Sequence, residues 1–200
     1  MPGVTDHLSV LMALRVQGIA PPDRVAAATG DEPAGAAAKL ADLAATGLAG
    51  ERTGRVAGFT LTPKGIEHLD KLLADEGLRS SESLKDCYDL FMTINNRVLK
   101  VSSDWQVRDG SPNDHSDSIY DEGVIDRLVE LNDRVRACMR KISACAPRFG
   151  PYGSRLDSCV DRLLAGDRSA FTAPLAESYH TVWFELHQDL LLTLGLERET

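Results

Sequence analysis

The sequence predicts a mainly α protein in two parts. Three helices, a β-hairpin and a fourth helix come first, and an antiparallel helical bundle follows. Two observations carry this expectation. Glycine and proline punctuate residues 1–78 into short amphipathic segments, with two extended segments flanking Thr53-Gly54. Beyond residue 81, apolar residues recur at steps of three and four over much longer stretches. The 200 residues are enough for one large domain or two small ones. The expected division is residues 1–78 and residues 79–200.

Charge and composition narrow the function classes. The formal net charge is −8. Residues 1–78 hold 7 Lys and Arg against 10 Asp and Glu, so neither part is basic overall. Nucleic-acid binding, if present, must therefore use a local patch. No apolar run reaches the roughly 18 residues of a membrane span. The first residues lack the basic and then apolar regions of a secretion signal, so a cytoplasmic location without membrane association is expected. Cys87, Cys138, Cys145 and Cys159 show no paired metal spacing and read as buried small apolar residues.

In the first part, Thr5-Asp6 is the expected cap of a helix with Leu8, Leu11, Met12 and Val16 on one face. Gly18 ends it. Pro21-Pro22-Asp23 opens a short helix through Val25 and Ala28. Asp31 is the expected cap of a third, with Ala36, Leu40 and Leu43 inward and Gly47 as its stop. Residues 48–52 and 56–61 read as the hairpin strands. Thr62-Pro63 opens a fourth helix carrying Ile66, Leu69, Leu72 and Leu73. This order is that of a winged helix-turn-helix with a two-stranded wing. The stretch LAATGLAGERTGRVAGFTLTPKGIEHL, with its Leu61-Thr62-Pro63-Lys64-Gly65 helix start, resembles the MarR-type regulator domain. That resemblance implies double-stranded DNA as a partner, with Lys39 on the third helix, Arg52 and Arg55 on the wing, and Lys64 as contacts. On the residues themselves the reading stays open. The third helix presents Glu32, Pro33, Ala34, Gly35, Ala36, Ala37 and Ala38 before Lys39, few of which can read a base edge. The alternative is a winged helix used as a protein-binding adaptor.

In the second part, Cys87, Phe91, Ile94, Val98, Val101 and Trp105 form one helical stripe. A polar, turn-rich loop over residues 109–118 follows. Val124, Leu128, Leu131, Val135, Cys138, Ile142 and Cys145 then sustain a seven-residue repeat, which implies a bundle or coiled-coil seam. Arg127, Arg134 and Lys141 form a second stripe at steps of seven, either a solvated face or a ligand- or phosphate-binding strip. Residues 147–153 read as a break. A short helix then carries Leu156, Cys159, Val160 and Leu163. Leu175, Tyr179, Val182, Leu186, Leu190 and Leu194 face inward on the last helix.

Chemistry is sparse. No phosphate loop, dinucleotide fingerprint, nucleophile elbow or zinc-protease motif occurs, and no cofactor is expected. His180 and His187 lie seven apart, about 10.5 Å along a helix, too far to share a metal easily. Three readings stand for them: core histidines, a pocket, or a metal site completed by Asp114, His115 and Asp117. Small-molecule pockets are mostly apolar with a few polar anchors. The candidate ligand site is therefore Trp105, Asp114, His115, Asp117, Tyr152, His180, Trp183 and His187. His115 with Asp117 is a candidate acid–base pair. No catalytic or metal residue is assigned, and an enzyme is the lesser reading.

The segments SSDWQVR, NDHSD, RFGPYGSRL and SYHTVWFELHQDLLLTLGL extend the resemblance over nearly the whole chain. They are similar to a family of small actinobacterial proteins that join a MarR-like winged helix to a helical C-terminal domain. Members are described as transcriptional regulators, and similar segments occur beside phosphoenolpyruvate-utilising phosphotransfer modules. Trp105, Arg108, Asn113, Asp114, His115, Asp117, Tyr152, His180, Trp183, Phe184, Glu185 and His187 carry the likeness. It implies a homodimeric, ligand-responsive regulator.

Overall fold

The computed structural model describes residues 4–173 and 176–197. It is mainly helical, with two small antiparallel sheets. It divides into two compact units, one of Met1–Ser81 with His187–Thr200 and one of Glu82–Leu186. The observed boundary thus falls after Ser81, and residues 187–200 group with the first unit instead of the second. The expected cap at Thr5-Asp6 and the inward-facing Leu175 lie outside the described side chains.

In the first unit, α1 (Val4–Gln17), α2 (Pro22–Thr29) and α3 (Pro33–Ala45) precede β1 (Ala49–Arg52), β2 (Gly58–Leu61) and α4 (Pro63–Glu76). β1 and β2 pair antiparallel, Ala49 opposite Leu61 and Arg52 opposite Gly58. The second strand is shorter than expected. Gly54 takes φ 112° and Gly58 φ 149°, and Val56 stands exposed in the loop between the strands. Ala20 bridges Phe59 from the turn between α1 and α2. A Cβ on Gly58 would lie 2.6 Å from the Ala20 carbonyl carbon, so only glycine admits that approach. Gly65 is tighter still. Its Cβ would fall 2.0 Å from the Leu48 carbonyl oxygen. Thr62 caps α4 by accepting from the Gly65 N–H, while its hydroxyl donates to the Gly47 oxygen at 2.7 Å. Leu8, Leu11, Leu14, Leu40, Leu43, Leu69 and Leu73 fill the core, and Leu192 packs against it. Asp31 does not cap α3 with its side chain. Glu32 is the capping position, and Asp31 instead holds Lys39 and accepts from the Thr29 hydroxyl.

In the second unit, α5 (Glu82–Gln106) and α6 (Ser118–Cys145) are the long elements. Cys87 Sγ lies 3.9 Å from Cys145 Sγ, and Tyr120 donates its hydroxyl to the Asp104 carbonyl. The start of α5 thus meets the end of α6 and the reverse, so the pair is antiparallel. The stripe residues behave as their spacing predicts: Phe91, Val98, Val124, Leu128 and Ile142 are buried. The break after α6 is shorter than expected, one 3-10 turn over Pro147–Phe149. α7 (Gly150–Leu164) begins at once, with Pro151 in its first turn where a missing N–H costs nothing. α8 (Ser169–Thr172) is a single turn. α9 (Tyr179–Leu194) supplies its first residues to this unit. There Trp183 stacks on Phe91 with centroids 4.5 Å apart and donates Nε1–H to Asn95 Oδ1 at 2.9 Å. Tyr179 stacks beside Trp183 and donates to Asn132 Oδ1 at 3.0 Å. Arg155 is buried between two carboxylates. Its Nε donates to Glu177 at 3.0 Å, and its Nη2 lies 2.8 Å from Glu185 Oε2 as an ion pair without an aligned hydrogen bond. Burial works against the Arg155 charge, and Glu185 and Glu177 more than offset it, raising its pKa.

Among the described residues, no helix is long and apolar enough to cross a membrane. The four cysteines are free thiols. Burial pushes Cys87, Cys138 and Cys159 up to about 11, so they act as small apolar side chains.

Candidate functional site

The polar stretch after α5 is not a simple loop. β3 (Val107–Arg108) and β4 (Ser111–Pro112) form a hairpin closed by Asp109 at φ 51° and Gly110 at φ 78°, the two left-handed residues of a type I′ turn. Reversal of the chain returns Asn113 to the end of α5. Its N–H donates to the Gln106 carbonyl at 2.9 Å. Its side-chain amide spends one proton on the Trp105 carbonyl at 3.1 Å and one on Asp121 Oδ1 at 2.9 Å. The 3.2 Å approach of that amide to His115 Nδ1 then has no proton left to share.

His115 is held from every side. Its backbone sits at φ 59°, a left-handed conformation uncommon outside glycine. Its N–H donates to Asn113 Oδ1 at 3.2 Å, and its carbonyl accepts from Arg168 Nη1 at 3.3 Å. The ring lies 4.4 Å from the Trp105 ring, which stacks on Phe171 at 4.7 Å. Nδ1 lies 3.0 Å from Asp121 Oδ2, which also pairs with Arg168 Nη1 at 3.2 Å. Asp121 is 1% exposed and can only accept, so Nδ1 carries the proton. That leaves Nε2 as the acceptor, on a ring 32% exposed. It makes no hydrogen bond among the described residues. The arrangement is a carboxylate-oriented imidazole over an aromatic floor. It can take a proton or a hydrogen bond from a ligand, and the indole beside it can take a flat or apolar group.

The expected pairing of His115 with Asp117 is corrected. Asp117 caps α6 by accepting from the Tyr120 N–H and pairs with Arg108 at 3.0 Å. The backbone N–H of Tyr120 and the Arg108 guanidinium lower its pKa. Asp114 turns back onto Ser116, whose hydroxyl and whose N–H, the latter at 3.0 Å, lower its pKa as well. Both carboxylates are therefore committed to local structure. Tyr152 is buried beside Phe149 and Arg155. Trp183 is committed to Phe91 and Asn95. His180 is half-buried, and its Nδ1 is enclosed with no hydrogen-bond partner among the described residues. Burial lowers its pKa. His187 belongs to the other unit. Among the expected ligand residues, the structure brings together Trp105 and His115 and leaves the others in separate packing roles. Among the described residues, no three His, Cys, Asp or Glu side chains come together to hold a metal ion.

Asp121, Arg168 and Phe171 escaped the sequence reading. Asp121 had a signal. It stands three places before Val124, on the apolar stripe itself, where an acid must be paired. Arg168 and Phe171 follow α7 by tertiary folding and have no local signal.

The basic residues of the first unit differ in freedom. Lys39 is held by Asp31 at 2.9 Å and is 20% exposed. Lys64 donates to the Thr46 carbonyl at 2.9 Å. Arg52 and Arg55 are exposed at the hairpin end, with no ion pair among the described residues. No protein-family model matches the chain, and no curated protein and no solved structure matches it.

Proposed function

We propose that the chain is a DNA-binding transcriptional regulator, a winged helix in the first unit and a helical bundle in the second that serves as ligand-binding and dimerising part. The observation that carries the reading is the β1–β2 hairpin. It follows three helices, is bridged back to Ala20, and presents Arg52 and Arg55 beside its loop with no ion pair among the described residues. Two cations at the tip of a wing are placed for phosphate contacts. α3 supplies little for base reading, because its exposed start is Pro33, Ala34 and Gly35 and Lys39 is spent on Asp31. Binding led by phosphates is the consequence, with strong salt dependence and modest sequence preference. The Trp105–His115 site would bias the assembly through a ligand that donates to Nε2.

A mobility shift on duplex DNA across a salt series tests this reading. Binding should weaken with salt, and Arg52→Ala/Arg55→Ala should lower the logarithmic salt slope by about 2. No retardation at low salt rejects it. The bare face of α3 and the Lys39–Asp31 pair favour a second reading, a protein-binding adaptor. A partner that co-purifies with the wild type and with the wing double variant alike, without DNA retardation, selects that reading.

A further inference from the structure

A groove of about 350 Å³ runs between α5 and α6, lined by Leu90, Thr93, Ile94, Arg97, Arg134 and Lys141 with Ala137 at its floor. A smaller hollow of about 230 Å³ continues from it, sharing Arg97 and Arg134 and lined also by Val101, Arg127, Glu130 and Leu131. Most cations of this unit are paired. Lys85, Lys100, Arg108, Arg127, Arg136, Arg155, Arg162 and Arg168 each pair with a carboxylate. Arg97, Arg134 and Lys141 are exposed and make no ion pair among the described residues. In a chain of net charge −8, three unpaired cations thus share one groove.

We infer that this groove binds a small organic anion with an apolar body. Arg97 and Arg134 come from opposite helices and line the junction of the two hollows. Guanidinium forks match phosphate and carboxylate oxygens, and two of them suit a doubly charged group. Leu90, Ile94 and Ala137 offer the body an apolar floor. The volume falls within the range of small-ligand sites. A second copy of the chain is a poor occupant, because self-packing through this face would bring the same arginines together. The inference does not depend on DNA binding or on the His115 site.

Isothermal titration with hexyl phosphate, inorganic phosphate and hexanol tests it on the full chain. Hexyl phosphate should bind at least about tenfold more tightly than either part alone. Arg97→Gln and Arg134→Gln should each weaken it by about tenfold or more, with circular dichroism unchanged. Arg140→Gln, an exposed cation on α6 outside the groove, should leave binding unchanged. Three results would overturn the inference: no binding of hexyl phosphate at about 5 mM, equal binding of inorganic phosphate, or equal loss in Arg140→Gln. Co-sedimentation with phosphatidylglycerol vesicles without hexyl phosphate binding would also overturn it, because the groove would then serve a membrane surface.

Discussion

The stretches Met1–Ser81 and Glu82–Leu186 bury different kinds of side chain. Among the described residues of Met1–Ser81, every buried side chain beyond glycine is apolar, and the buried polar side chains of that unit, His187, Asp189 and Thr193, come from the end of α9. Glu82–Leu186 buries Asn95, Ser102, Asp121, Asn132, Arg155, Ser178 and Glu185. The first unit is shaped by backbone approaches that only glycine allows, at Gly58 and Gly65, around an aliphatic core. The second is shaped by polar links across its core, such as Trp183 to Asn95 and Tyr179 to Asn132. An aliphatic core tolerates rearrangement as long as volume is kept, whereas a buried polar link holds only one geometry. The unit with polar links is also the one that holds His115 in place.

The largest expected effect sharpens the contrast in backbone tightness. Gly65→Val should cost about 4 kcal/mol or more, because its Cβ meets a carbonyl oxygen that cannot swing aside. Gly153→Ala in α7 meets only Met139 Cβ at 3.6 Å and should change stability by less than about 1 kcal/mol. Urea unfolding of both variants measures the difference, and similar costs would break the comparison. Next, Asp121→Ala should cost about 2–4 kcal/mol, since it strands donors on Asn113, His115 and Arg168. Nitrogen NMR of the His115 ring should show the Nδ1–H preference lost.

A smaller effect follows from His180. Burial lowers its pKa from the ordinary 6.5. Below that value the unfolded chain takes up a proton that the folded chain does not, so stability falls as pH drops through this range. His180→Gln should flatten the decline between about pH 7 and pH 5, and an unchanged slope would place the titration elsewhere. Smallest is the effect at the β1–β2 hairpin. Arg52→Ala/Arg55→Ala should shift stability by less than about 0.5 kcal/mol while, under the proposed DNA binding, lowering the salt slope of retardation by about 2. A large loss of stability would mean that the arginines serve the fold.

Much of the fold was legible because it is written in local signals. Glycine stops, proline starts and three-four periodicity placed α1 to α4, α5 and α6 within a few residues of their observed ends. The hairpin β3–β4 was read as loop, because two-residue strands carry no periodicity. The early start of α7 was missed because Pro151 and Gly153 weigh as breakers, although proline in a first turn satisfies its surroundings. The site was half legible. Trp105 and His115 stand out by type, but their partners Asp121 and Arg168 lie 6 and 53 residues from His115. Sequence proximity favoured Asp117, and geometry gave that residue to the helix cap.

The division of α9 between the units has a consequence for how the protein is made. Residues 187–200 belong to the unit that begins the chain, and Leu192 packs on its core. On the ribosome, all of Glu82–Leu186 must emerge before the first unit receives its last piece, a delay of roughly ten seconds at ordinary elongation rates. Until then the apolar surface that Leu192 covers stays open, and a nascent chain stalled before this point exposes it to chaperones and proteases. Of the two units, the one that contains Met1–Ser81 is therefore started first and completed last.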